Sequence, residues 1–68
     1  MYFVIELQTN AGQTGNLVYS YANRADADSK YYAVLAAAAT SQIEKHAAIL
    51  VSEEGFPLLH QCYIHNQN

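Results

Sequence analysis

One stretch of this chain, Asn23 to Thr40 (NRADADSKYYAVLAAAAT), reads as a helix, and no other does. The remaining segments alternate or turn, so the chain must build strands around a single helix, and one helix covers only one face of a sheet. Its start is well marked. Asn23 is a good N-cap, because its side-chain oxygen accepts a free N–H of the first turn, and Asp26 and Asp28 put negative charge at the positive end of the helix dipole. Asp26 and Lys30 have the spacing of an i, i+4 ion pair on a wet face. Ala27, Tyr31, Val34, Leu35 and Ala38 form the stripe expected to lie on the sheet.

The back of the helix carries Tyr32, Ala33, Ala36, Ala37, Ala39 and Thr40, and no charge follows Lys30 until Glu44. Alanine is the best helix former, so propensity on a bland surface accounts for the pattern. A helix apolar nearly all round is usually buried nearly all round, so a subunit contact through Tyr32, Ala36 and Ala39 accounts for it too, and is the expectation carried forward.

At 68 residues the chain, 1–68, is one small domain with a marginal core, for which self-association is a common remedy. Charged residues are 13% of it against a usual figure of about 25%. Little charge is therefore left to coat a monomer. Arg24, Lys30 and Lys45 face six acids for a net charge of −3, which argues against the basic stripe that extended DNA or RNA binding needs. The lone Cys62 excludes an internal disulfide, and no charged segment followed by an apolar run opens the sequence. The expected compartment is the cytoplasm of a bacterial host, and no apolar run approaches the roughly 20 residues of a membrane span.

Tyr2 to Gln8 alternates as a half-buried strand, with Phe3, Ile5 and Leu7 on one side and Tyr2, Val4, Glu6 and Gln8 on the other. Thr9 to Gly15 reads as a hairpin loop, and its Gly-Gln-Thr-Gly run lacks the lysine and strand-to-helix context of a phosphate cradle. Asn16 to Tyr21 is a second strand, with Leu17, Tyr19 and Tyr21 on one face. After the helix, Ser41 to Lys45 is polar, His46 to Ser52 is a third strand, Glu53-Glu54-Gly55 turns, and Phe56 to His65 is a fourth. Pro57 suits a strand start or an edge, and Asn66 to Asn68 is expected to fray.

The predicted fold is thus α+β, ββαββ, a four-stranded mainly antiparallel sheet with one helix on one face. The expected strand order is 2-1-4-3, with strands one and four parallel at the centre as in the β-grasp. Leu50, Leu59, Tyr63 and Val4 are expected on the bare face, making Leu50 and Leu59, with Tyr32, Ala36 and Ala39, the candidate interface of a homo-oligomer.

In MYFVIELQTN, GNLVYSYANRADADSKYYAVLAAAAT and HAAILVSEEG the chain resembles short uncharacterised proteins of gut Firmicutes and their bacteriophages, a group with no assigned activity. The resemblance implies a small accessory protein that acts by binding, either inhibiting a host protein or sequestering a host immune signal.

His46, His60, Cys62 and His65 are the residue types that hold zinc, and strand register decides whether they meet. A three-residue turn at Glu53-Glu54-Gly55 pairs Ser52 with Phe56 and His46 with Cys62. A two-residue turn pairs Ala47 with Cys62 and His46 with Tyr63, gathers Ala47, Ile49, Val51, Leu58, Cys62 and Ile64 on one core face, and makes Cys62 a small buried hydrophobe. The second register is preferred, so neither a metal site nor a cofactor is expected. Cys62 with His60 has no third group to orient the base, and Glu53 and Glu54 point apart, so no catalytic residues are expected. The six tyrosines offer contact area and stacking surface. Tyr21, Arg24, Tyr32, His46, Tyr63 and His65 are expected to stay accessible and to form a ligand site between subunits, with Arg24 and the helix N-terminus holding a phosphate. The expectation is a non-enzymatic oligomer that captures a small anionic, nucleotide-like ligand. The alternative is an inhibitor of a host protein; a small metal- or Cys-dependent enzyme is the remaining one.

Overall fold

The computed structural model describes residues 1–65; Asn66 to Asn68, where fraying is expected, lie outside the described residues. Strands β1 (Tyr2–Asn10) and β2 (Gln13–Tyr21) are followed by helix α1 (Arg24–Thr40) and strands β3 (Lys45–Ser52) and β4 (Pro57–Ile64). They form the α+β fold read from the sequence, a ββαββ chain with one four-stranded sheet and one helix.

The strand order corrects the β-grasp expectation. It is β2-β1-β3-β4, and every neighbouring pair is antiparallel. Pro57 gives the physical reason: without an N–H it cannot donate to a ladder, so β4 belongs at an edge rather than the centre. The apolar run from Ala47 to Val51 suits the central strand β3, which has neighbours on both sides.

The first hairpin is tighter than the loop expected over Thr9 to Gly15. Asn10 pairs with Gln13, leaving Ala11 and Gly12 as a two-residue turn, and both have positive φ, 53° and 79°. That is the pattern of a type I′ turn, whose twist matches the flanking strands. The second hairpin combines the two registers weighed above. Ser52 N–H donates to Phe56 O at 2.9 Å, as the three-residue turn requires, and Gly55 takes positive φ, 85°. Beyond the turn Val51 pairs with Pro57 but Leu50 pairs with Leu59, so Leu58 is an extra residue. This bulge restores the preferred register, with Ala47 opposite Cys62 and His46 opposite Tyr63.

Asn23 caps the helix as expected, its Oδ1 accepting the Asp26 N–H at 2.9 Å. Ala27, Tyr31, Val34 and Ala38 are buried, and Leu35 packs at their margin. The expected Asp26–Lys30 pair is replaced. Arg24 Nε bonds Asp28 at 2.7 Å, while Lys30 leans toward the sheet with its ammonium 4.0 Å from the centre of the Tyr19 ring.

The face beneath the helix is the opposite of the one expected. Val4, Ala48 and Leu50 join the helix stripe in the core, with Tyr2, Tyr19, Tyr21, Leu58 and Leu59 packed around it. Val4, Leu50 and Leu59 are therefore not on the bare face, and Leu50 is sealed under the helix. Tyr63, in register with His46, shares that side. The outer face carries Phe3, Ile5, Leu7, Val18, Ala47, Ile49, Val51, Cys62 and Ile64, which the pairings place in line with one another. Cys62 is exposed there, not a buried core residue. The parallel strands β2 and β3 are joined by a helical crossover, and handedness fixes which face such a helix covers. A tally of apolar residues does not register handedness.

Candidate functional site

Near the C-terminal end of α1 the inner face carries a chain of polar side chains. His46 Nε2 stands 2.6 Å from Glu6 Oε2, His46 Nδ1 stands 2.9 Å from Ser41 Oγ, and Gln8 Nε2 donates to Glu6 Oε2 at 2.9 Å. Strand register brings the acid and the imidazole together, because Gln8 faces His46 and Glu6 faces Ala48 across β1 and β3. His46 is 3% exposed and Glu6 9%. Burial disfavours ionised Glu6, but the hydrogen bonds from His46 and Gln8 and the nearby charges of His46 and Lys30 outweigh it and hold its carboxyl below the ordinary value of 4.5.

Ser41 lets this chain accept either proton arrangement. With Nδ1 bare, the hydroxyl donates to it; with Nδ1 protonated, the hydroxyl accepts and can turn its own proton to Ala38 O, 3.3 Å away. His65 Nε2 donates to the same carbonyl at 2.8 Å, so imidazoles from β3 and the end of β4 converge on the last turn of the helix. Ser, His and Glu in line have the order of a nucleophile relay. The helix, however, points carbonyl oxygens at Ser41, the wrong polarity for stabilising an oxyanion.

Beside Glu6 the inner face is open. A cavity of about 240 Å³ lies among Glu6, Gln8, Gly15, Asn16 and Leu17. The space above Gly15 is empty, and a Cβ there would meet no atom within 4 Å. On the outer side a shallower hollow of about 290 Å³ lies between Ile49 of β3 and Pro57, His60 and Cys62 of β4.

The six expected ligand residues fall into two groups at opposite ends of α1. Tyr21 ends β2 beside Tyr2, its pairing partner, and Arg24 opens the helix near Tyr2 and Tyr32. Tyr32 is exposed, its ring edge-on to Tyr31 at 5.1 Å. His46, Tyr63 and His65 stand at the other end, with the Tyr63 and His65 rings stacked at 6.3 Å. Helix rise separates Arg24 from Ala38 by roughly 21 Å, too far for one small ligand to touch both groups within a subunit. His46 is also buried, contrary to the accessible role expected of it, because Glu6 and Ser41 hold both ring nitrogens inward. Of the expected interface, Tyr32, Ala36 and Ala39 are exposed on the helix back, whereas Leu50 and Leu59 lie inward.

The four residues that hold zinc elsewhere are divided by the sheet. His60 and Cys62 look outward, and His46 and His65 sit by the helix. Among the described residues no three His, Cys, Asp or Glu side chains gather as a metal site, and no helix is long and apolar enough to cross a membrane. Sequence reading missed Glu6, Gln8, Gly15 and Ser41. One signal was available: Glu6 shares the strand face of Val4, where an acid needs a partner.

No family model matches the chain, and neither a curated protein nor a solved structure matches it.

Proposed function

We propose that this protein is a non-catalytic, homo-oligomeric binding protein that captures a small nucleotide-type ligand, with the outer sheet face as its subunit interface. The observation that carries the reading is the uncovered apolar face. Val18 is 56% exposed and Ile64 64%, and Phe3, Ile5, Leu7, Ile49 and Val51 lie between them in register. At strand spacings of about 4.8 Å and a rise of about 3.3 Å per residue, such a face covers on the order of 500 Å². That is in the upper part of the roughly 300–600 Å² that the largest apolar patch of a typical monomer spans, and such patches often mark an interaction site. A second copy fits best, because the polar residues of two such faces, Thr9, Thr14, Asn16 and Ser20 with Lys45 and His60, lie on or beside the two edge strands and the strand ends, and no acid is buried.

Ligand capture rests on the two cations along the inner side. Lys30 lies over Tyr19, and Arg24 stands with Tyr2, Tyr21 and Tyr32 at the start of the helix. These offer charge for one or two phosphates and rings for stacking. In proteins of the kind this chain resembles, such capture would withdraw a nucleotide immune signal from the host.

Sedimentation equilibrium and calorimetry test the two halves. Wild type is expected to associate at tens of micromolar, Ile49→Glu to give a folded monomer, and Ala36→Glu to leave assembly unchanged. Nucleotide binding is expected to weaken in Arg24→Ala. A clean wild-type monomer would overturn the assembly. No response to linear or cyclic nucleotides, alongside one stoichiometric host protein in a pull-down, would replace capture with inhibition of a protein partner.

A further inference from the structure

The cavity beside Glu6 is not explained by the core. Both donors that reach this carboxylate, from His46 and Gln8, bond Oε2. Among the described residues Oε1 receives none, and no polar side-chain atom is both sealed from solvent and unpaired, so Oε1 opens toward the cavity that Glu6 lines. A carboxylate that is nine-tenths buried yet keeps one oxygen free in a concave site is a built acceptor.

Its neighbours define what it accepts. Gln8 spends its amide N–H on Glu6, which leaves its own carbonyl oxygen as a second acceptor at the same wall. Leu17, in register with Glu6, adds an apolar wall, and Gly15 a stretch of bare backbone against which a flat ring can lie, while the Asn16 side chain, in register with Leu7, turns to the outer face. Lys30 is a cation already near this carboxylate, so a neutral N–H donor can meet the free oxygen without adding a further charge. Two acceptors side by side complement a planar edge that presents two adjacent N–H groups.

We infer that this cavity recognises the adjacent amino and imino N–H groups of a guanine-type base, with Glu6 Oε1 and Gln8 Oε1 accepting them. The inference rests on the nucleotide-capture reading and names the base. Lys30, adjacent along β2 through Tyr19, is the nearest cation to meet the first phosphate.

Calorimetry on the full chain with guanosine, 5′-GMP, 5′-IMP and 5′-AMP tests it. 5′-GMP is expected to bind at least tenfold tighter than 5′-AMP, with 5′-IMP, which lacks one donor, between them. Glu6→Gln is expected to lose the preference for 5′-GMP, but it also touches His46. Gly15→Val is therefore the second variant: its backbone does not need glycine and valine suits a strand, so a folded protein with its cavity filled should bind 5′-GMP at least tenfold more weakly. Equal affinity for all four probes, or 5′-GMP binding unchanged in Gly15→Val, overturns the site. If nucleotides then still weaken in Arg24→Ala, capture survives without it. Guanosine binding as tightly as 5′-GMP, and weakened by Gly15→Val, supports the site while overturning the phosphate half of the capture reading. No binding of any probe overturns both.

Discussion

The two faces of the sheet are built from different materials, and the difference shows how a chain this small divides its stability. The inner face mixes Val4, Ala48 and Leu50 with four tyrosines, a buried glutamate and a buried histidine, and α1 covers it. The outer face is at its centre a field of Phe, Ile, Leu and Val, and none of the described elements covers it. Among the described residues only Val4 and Leu50 are both large and fully buried, so the intramolecular core is thin. The helix lies over the face whose polar groups require fixed partners, since a buried Glu–His pair is stabilising only when each hydrogen bond is made. The outer face needs no such geometry. It holds most of the apolar area still available for burial, and burial by another chain stabilises the fold by mass action.

The sharpest test of this contrast uses neighbours in the sequence that lie on opposite faces. Leu50→Ala removes a side chain with no exposure and is expected to cost about 2–5 kcal/mol in urea unfolding. Ile49→Ala, one residue away, is expected to leave dilute protein almost as stable and instead to lower the midpoint of assembly. Equal losses from both at nanomolar concentration would mean that the faces do not differ as described.

The buried acid gives a test of the inner face alone. Because the folded pKa of Glu6 lies below its ordinary value of 4.5, its contribution is complete above that pH and is lost as pH falls through the lowered folded value. Stability is therefore expected to drop on the acid side, and Glu6→Gln to flatten that limb while lowering the plateau near neutrality. Glu53, held low by the N-terminal ammonium 2.6 Å away, titrates in the same direction, but it is exposed and salt screens it. Urea titrations repeated in 0.5 M salt isolate Glu6. An acid limb that vanishes in salt would assign it to Glu53.

The elements themselves were legible. Alternation in Tyr2 to Gln8, the Asn23 cap and the stripe from Ala27 to Ala38 each depend on contacts within a few residues, and the structure has them all. The second hairpin was legible as two competing registers, and only the bulge at Leu58, which follows a proline that cannot join the ladder, shows how both are partly right. The covered face was not legible, because the outer face is the more apolar and the helix is placed by crossover handedness. The Glu6–His46 pair was missed for a related reason. Its partners are 40 residues apart and meet only through the pairing of β1 with β3, which the 2-1-4-3 order does not contain.

Asn23→Ala probes the cover of the inner face without touching either face. It removes the side-chain acceptor of the Asp26 N–H, and the expected loss is about 1 kcal/mol by urea unfolding. Lys30 and Arg24 sit on the same helix, so ligand affinity is expected to fall with fraying of the first turn. An unchanged midpoint would show that packing of Tyr31 and Val34, rather than the cap, fixes the helix start.

The smallest expected effect is a gain at the hairpin tip, where neither face is involved. Ala11 has φ 53°, in the left-handed region that costs an L-residue roughly 1–2 kcal/mol and that asparagine enters more readily. Ala11→Asn creates the Asn-Gly pair favoured in type I′ turns and leaves Gly12, at φ 79°, as it is. The neighbouring Asn10 is already committed, its Oδ1 accepting the Glu44 N–H at 2.9 Å and tying the hairpin to the approach of β3. A new asparagine at position 11 therefore adds turn preference without competing for that bond. The expected gain is about 0.5 kcal/mol, within the range of turn substitutions that relieve strain, with oligomer size and nucleotide affinity unchanged. A gain that appears only in associated protein, and not in the Ile49→Glu monomer, would place the hairpin tip inside the subunit interface and extend the outer contact beyond the sheet.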